Sequence, residues 1–166
     1  MINFTTLQIL RVFDFFHKKK IINFLKKLGI FNLNVVLDVG AHNGETLEYF
    51  LSNFTIKNIY SFEASDLNYI ELKKNSLSYK KKFLNTKIVV ENIALGSENK
   101  KLKFKQFYES SSSTFSGINK NSNYFKKKFR FLNRNKDNNF FYEKDIELIC
   151  LSDYLIEKDI NNIDLK

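Results

Sequence analysis

The stretch V-V-L-D-V-G-A-H-N-G-E, Val35 to Glu45, decides how the rest of the chain is read. Val35 to Val39 is a short apolar, β-branched run ending at Asp38 and Gly40, the pattern of a strand buried on both faces. Gly40 and Gly44 follow, so the backbone can bend sharply there and let a ligand approach closely. Glu45 to Phe54 then sets Leu47, Phe50, Leu51 and Phe54 on one helical stripe, and Lys57 to Phe62 reads as a second strand. Ser65 is placed to cap a further helix running to about Leu77, with Leu67, Ile70 and Leu77 as its apolar residues, and Lys87 to Ala94 reads as a third strand. Strand and helix alternate throughout, which predicts an α/β fold with a mostly parallel sheet, flanking helices and right-handed crossovers.

The acid beside the turn selects among ligands. A carboxylate at Asp38 would repel the pyrophosphate of a dinucleotide but attracts the ammonium of a methionine moiety, which favours S-adenosylmethionine over NAD. Glu63 closes the second strand 25 residues after Asp38, near the spacing at which an acid accepts hydrogen bonds from both ribose hydroxyls. Each such bond to a charged group contributes roughly 1.5 to 3 kcal/mol. At the end of the third strand Glu91 and Asn92 are placed to meet adenine, with Ala94 keeping the wall thin. The candidate cofactor-binding set is therefore Asp38, Gly40, Ala41, His42, Gly44, Glu63, Ala64, Asn92 and Ala94. Each element alone has a plainer reading, since an Asp after a strand is often only a helix cap. The order of strand, two-glycine turn, helix, strand and terminal acid is what argues for the cofactor.

No catalytic residue is assigned. Methyl transfer from S-adenosylmethionine is an in-line displacement for which the protein aligns two reactants and can supply a general base. His42, the one histidine near the turn, is weighed for that role against a variable turn residue, and the turn residue is preferred. His17 lies among lysines in a solvated helix, and Ser111 to Ser113 read as a loop that could line an acceptor pocket.

The remaining features bound the function. The 166 residues suffice for one domain with a sizeable core, with 43% hydrophobic and 16% aromatic residues to fill it. The net charge of +9 is concentrated. From Ile118 to Lys136 there are seven basic residues and no acidic one, leaving 20 basic against 18 acidic residues elsewhere. That segment, with Tyr124, Phe125, Phe129 and Phe131 among its charges, motivates an alternative reading as a nucleic-acid methyltransferase or basic RNA-binding protein. The excess is local and lysine and asparagine are abundant everywhere, so a nucleic-acid partner is not the preferred reading. Cys150 stands alone, which excludes an internal disulfide, offers no metal-ligand spacing and fits a reducing cytoplasm. Residues 3 to 28 read as one or two amphipathic helices stopped at Gly29, an N-terminal extension over 1–30 ahead of a cofactor-binding unit over 31–166. Packing on the domain is preferred to a membrane-surface or partner-binding role for that helix, and neither a signal peptide nor a membrane span is expected. Leu102 to Tyr108 is expected as an inserted strand, 117 to 139 as a mobile loop with a helical turn near Tyr124 to Phe131, and Asp145 to Leu151 as a strand. Ser152 is expected to cap a short helix to about Lys158, and Ile163 to Lys166 to open another strand.

These residues also resemble a known family. V-V-L-D-V-G-A-H-N-G-E, then I-Y-S-F-E-A-S with the following L-K-K-N, then E-N-I-A-L-G-S are similar to the FkbM-type methyltransferases, from about Val35 to the last residue. Ser111 to Phe115 resembles that family's serine-containing loop, and I-C-L-S-D-Y-L its segment before the fourth strand, with Cys150 where a threonine is usual. The resemblance implies a Rossmann-like class I methyltransferase fold, S-adenosylmethionine as methyl donor, and transfer to a hydroxyl oxygen of a sugar, glycolipid or other secondary metabolite, so that a small-molecule or glycan acceptor is the expected partner. It also implies a fourth strand lying beside the first. In the family the strand that begins like Ile163 to Lys166 continues into an Asp-x-Glu-Gly motif and further strands, so the fold is expected to be incomplete at the C-terminus. The chain is then a fragment, a truncated and inactive remnant, or a part completed by a partner.

Overall fold

The computed structural model describes residues 4–107 and 141–166, together with Ser122, Asn123 and Lys127; side chains are described from Phe16 onward, Phe107 and Phe141 excepted. The expectations for Ser110 to Ser113, Ser111 to Phe115, Tyr124 to Phe131 and the basic segment 118–136 fall outside these residues, apart from those three positions.

The protein is mixed α/β. Three strands, β1 (Asn32–Val39), β2 (Thr55–Phe62) and β3 (Lys87–Glu91), form a parallel sheet in the order β1-β2-β3. Helix α1 (Phe4–Lys27) precedes the sheet, α2 (Glu45–Leu51) joins β1 to β2, and α3 (Asp66–Lys82) joins β2 to β3. The sheet is covered on both faces. Val36, Ile59 and Ile88 share one core with Ile22 and Leu25 of α1, Leu47 and Leu51 of α2, and Leu72 of α3. Leu37, Tyr60 and Phe62 share the other with Tyr154 of α4 (Leu151–Glu157). Adjacent residues of β1 and β2 thus divide between two cores, which is why Val35 to Leu37 is an unbroken apolar run.

The helices start and stop where local chemistry dictates. The turn after α1 has the Ile30 N–H bonded to the Leu25 carbonyl and the Gly29 N–H to the Lys26 carbonyl, with Gly29 in the left-handed region at φ 76°. This pair of bonds satisfies carbonyls that a helix end otherwise leaves open. A single helix results, packed on the body through Ile22 and Leu25. Ser65 caps α3 by accepting the Asn68 N–H, as expected, with Asp66 in the first turn and Lys80, Lys81 and Lys82 in the last to suit the helix dipole.

Four expectations are corrected. The buried face of α3 is Asn68, Leu72, Ser76 and Tyr79, while Leu67, Ile70 and Leu77 are exposed, and the helix runs to Lys82. The third strand ends at Glu91; Ala94–Gly96 is a separate strand, β4, in a second sheet. That sheet has the order β4-β6-β5, with β5 (Lys100–Phe107) antiparallel and β4 parallel to β6 (Phe141–Cys150). Lastly, the cap position of α4 is Cys150, without a side-chain cap bond, and Ser152 lies inside the helix.

The end of the described chain reaches β1 from the side opposite β2. Leu165 bridges Val36 in parallel, the Leu37 N–H donates to the Leu165 carbonyl at 2.9 Å, and the Asp164 N–H donates to the Val35 carbonyl at 2.9 Å. Asp164 Oδ2 also accepts the Asn34 N–H at 2.5 Å and the Val35 N–H at 2.8 Å. This one parallel bridge lies where Ile163 to Lys166 is expected to open a strand. Among the described residues no helix is long and apolar enough to cross a membrane.

Candidate functional site

The register of the parallel sheet pairs Asp38 with Ser61, Val39 with Phe62, and Phe62 with Glu91. The chain after Asp38, the chain after Phe62 and the chain after Glu91 therefore emerge side by side at the carboxyl edge, the edge at which open parallel sheets bind ligands. All nine cofactor-binding candidates lie on these three segments or at the start of β4.

Hydrogen bonds hold the segments together. The Gly40 and Ala41 N–H groups donate to the Phe62 carbonyl at 2.9 and 3.0 Å, hooking the turn onto the end of β2. Glu63, only 7% exposed, accepts the His42 N–H on Oε2 and the Ser65 N–H on Oε1, both at 2.8 Å. Its backbone N–H donates to the Glu91 carbonyl, and the exposed Asn92 donates from Nδ2 to the Glu63 carbonyl at 2.9 Å. Glu63 is thus the junction of all three segments. Sequence reading gave it one task, toward a ribose, and missed its work on the turn itself.

The turn has a left-handed backbone at Gly40 (φ 80°), His42 (φ 51°) and Gly44 (φ 93°). At Gly44 space is also tight, since a β-carbon would lie 3.0 Å from Leu72 Cδ1 and that side chain would have to give way. Around Gly40 nothing lies within 4 Å of where a β-carbon would stand. Open space beside a bare backbone at the sheet edge is what a close-lying ligand needs. Ala41 and Ala94 are buried, at 3% and 7%, and Ala64 packs against the small core that Ala94 forms with Phe104 and Ile146.

Asp38 is the electrostatic centre. Its Oδ2 is buried and has no hydrogen-bond partner among the described residues. Burial pushes the Asp38 carboxyl up from 3.8 to about 6, with the positive charge of Lys18 and the neighbouring Ser61 hydroxyl opposing the rise and the Glu63 carboxylate adding to it. A buried acceptor left open beside an exposed glycine turn calls for a donor from outside the chain, and the ammonium of a methionine tail meets that need. The residues present fit S-adenosylmethionine.

Two further residues belong here that sequence reading did not single out. Lys18 reaches the turn from α1, its Nζ 3.6 Å from Glu45 Oε2. Its signal was available, for Lys18 is in helical step with the buried Ile22 and Leu25. Tyr154 of α4 packs edge-on against Phe62, centroids 5.0 Å apart, and its hydroxyl donates to Glu91 Oε1 at 3.3 Å. Burial and the Glu91 charge hold that phenol well above its ordinary range. Glu91, expected to face adenine, is thus engaged by the second core. Among the described residues no cluster of metal-ligating side chains occurs.

A family model described as the methyltransferase FkbM domain matches residues 38–165. No curated protein and no solved structure matches the chain.

Proposed function

The chain belongs to the FkbM methyltransferase family, and from that premise we propose that it binds S-adenosylmethionine at the carboxyl edge of β1, β2 and β3 and methylates a hydroxyl oxygen of a sugar, glycolipid or other secondary metabolite. The sheet is then the opening of a Rossmann-like class I fold, and the single cysteine suits work in a reducing cytoplasm. The observation that carries the reading is the buried, unpartnered Oδ2 of Asp38 beside the bare turn at Gly40.

In this reading Asp38 accepts from the donor's ammonium, and the backbone from Gly40 to Gly44 lies along the methionine and ribose. Glu63 accepts from the ribose hydroxyls. Each of its oxygens already takes one N–H. A carboxylate oxygen has two acceptor positions, so one remains on each. Ala64, Asn92 and Ala94 form the adenine wall. When bound, the cofactor supplies a methyl group already activated on a sulfonium. The chain's part is to hold that carbon in line with the acceptor oxygen and to keep water away from both.

The test is calorimetric titration with S-adenosylhomocysteine of the wild-type chain and of Asp38→Ala and Glu63→Ala. The wild type binds and both variants lose at least tenfold in affinity, given roughly 1.5 to 3 kcal/mol per charged hydrogen bond. Unchanged affinity in both variants sinks the site.

A further inference from the structure

Lys18 lies before residues 38–165, the part matched by the family pattern, so the family assigns it nothing. It does not sit with the exposed Lys19 and Lys20 on the outside of α1. Its side chain is only 18% exposed, on the helix face that also buries Ile22 and Leu25. A lysine head group held inward requires anionic company. It has that at both ends of the turn. Glu45 Oε2 lies 3.6 Å from Nζ at the far end, and at the near end the Lys18 charge acts on the Asp38 carboxyl. One cation thus pairs with Glu45 and acts through its charge on Asp38.

The donor's methionine tail carries an ammonium and a carboxylate on the same carbon. Asp38 alone would attract the first and repel the second, so a site built on Asp38 needs a cation nearby to accept the whole zwitterion. Resting on the donor-site reading above, we propose that Lys18 of α1 donates hydrogen bonds to the carboxylate of the methionine tail while Asp38 accepts from its ammonium. Glu45 holds Lys18 in place until then. At 48% exposure the Glu45 side chain forms a weak, solvent-screened pair that gives way to a ligand at small cost. The helix expected as an appended extension is in this way part of the binding site.

Three adenosyl thioethers separate the roles. S-adenosylhomocysteine has both charged groups, its decarboxylated analogue has only the ammonium, and 5'-methylthioadenosine has neither. In calorimetric titrations of the full chain, Lys18→Gln weakens the first about tenfold or more and leaves the other two unchanged, and Lys18→Arg recovers most of the loss. Asp38→Asn weakens the first two and spares the third. The wild type prefers the first to the second, a readout that needs no variant to fold. The proposal is overturned if Lys18→Gln leaves S-adenosylhomocysteine unaffected. It is equally overturned if all three ligands weaken alike, which would mean that Lys18 only props the turn. A wild type that binds the first two equally, and both more tightly than the third, removes the role of Lys18 but leaves the donor site standing, whereas a wild type that binds none removes the donor site itself.

Discussion

Burial sets Asp38 at odds with its own charge. With a folded-state pKa of about 6 against 3.8 for the free side chain, the folded protein holds a proton between pH 4 and 6 that the unfolded chain has already released. Stability therefore falls as pH rises through that window and is level above it, by about 2 to 3 kcal/mol in all. Asp38→Asn should remove this slope and raise the melting temperature at pH 7.5 while weakening S-adenosylhomocysteine binding; a pH series of thermal melts that keeps its slope in the variant would rule Asp38 out as the source. Protons also compete with the ligand's ammonium, so wild-type affinity should weaken below about pH 6. Glu63 differs in having its carboxylate partnered by the His42 and Ser65 N–H groups. Glu63→Gln replaces one acceptor oxygen by an amide that cannot accept, and should cost about 1 to 3 kcal/mol of stability as well as ligand affinity. Melts and titrations on the same sample check both. Of these two acids the sequence shows position and type, because both follow from strand ends. It does not show that Glu63 already serves two backbone donors, since that depends on how the turns fold back.

Among the elements, the glycine turn and helix α3 respond to different changes. Gly44→Ala meets both a left-handed backbone and Leu72 Cδ1 at 3.0 Å, and should cost about 2 to 4 kcal/mol. Gly40→Ala meets only the backbone penalty, about 1 kcal/mol, because its surroundings are open, yet its methyl group stands where the ligand is expected. Melting temperature should thus drop more for Gly44→Ala, with a disproportionate loss of binding for Gly40→Ala. On α3, Leu72→Ala should cost about 2 to 5 kcal/mol whereas Leu67→Gln, Ile70→Gln and Leu77→Gln stay within about 0.5 kcal/mol, as urea midpoints would show. The cap at Ser65 was legible because it is written in one side chain. The buried face was not, since it uses Asn68, Ser76 and Tyr79 as well as Leu72, and counting leucines points to the opposite side. The break between β3 and β4 is equally silent. No glycine or proline marks Asn92 and Ile93, and the pairing that separates the strands joins Ala94–Gly96 to residues 148–150 far along the chain.

For the molecule as a whole, the parallel sheet and the helices on its two faces follow from the alternation of apolar runs, which is a local property of the chain; the place of the chain's last residues beside β1 is implied only by the family resemblance. The antiparallel pairing of β5 with β6 arises from distant partners, and neither strand alone names its mate. The same distance governs the last contact made with β1. Asp164 and Leu165 reach back across 129 residues to Val35 and its neighbours. Asp164→Ala should leave the Asn34 and Val35 amides open to solvent and speed their hydrogen exchange well beyond that of β2, a contrast absent if the segment merely rests nearby. Loop closure over such a span is slow compared with the pairing of β1 to β2. On the ribosome, one side of β1 therefore waits unsatisfied while everything from α2 to α4 is still being translated, and through that interval the nascent polypeptide presents a raw strand edge of the kind chaperones shield.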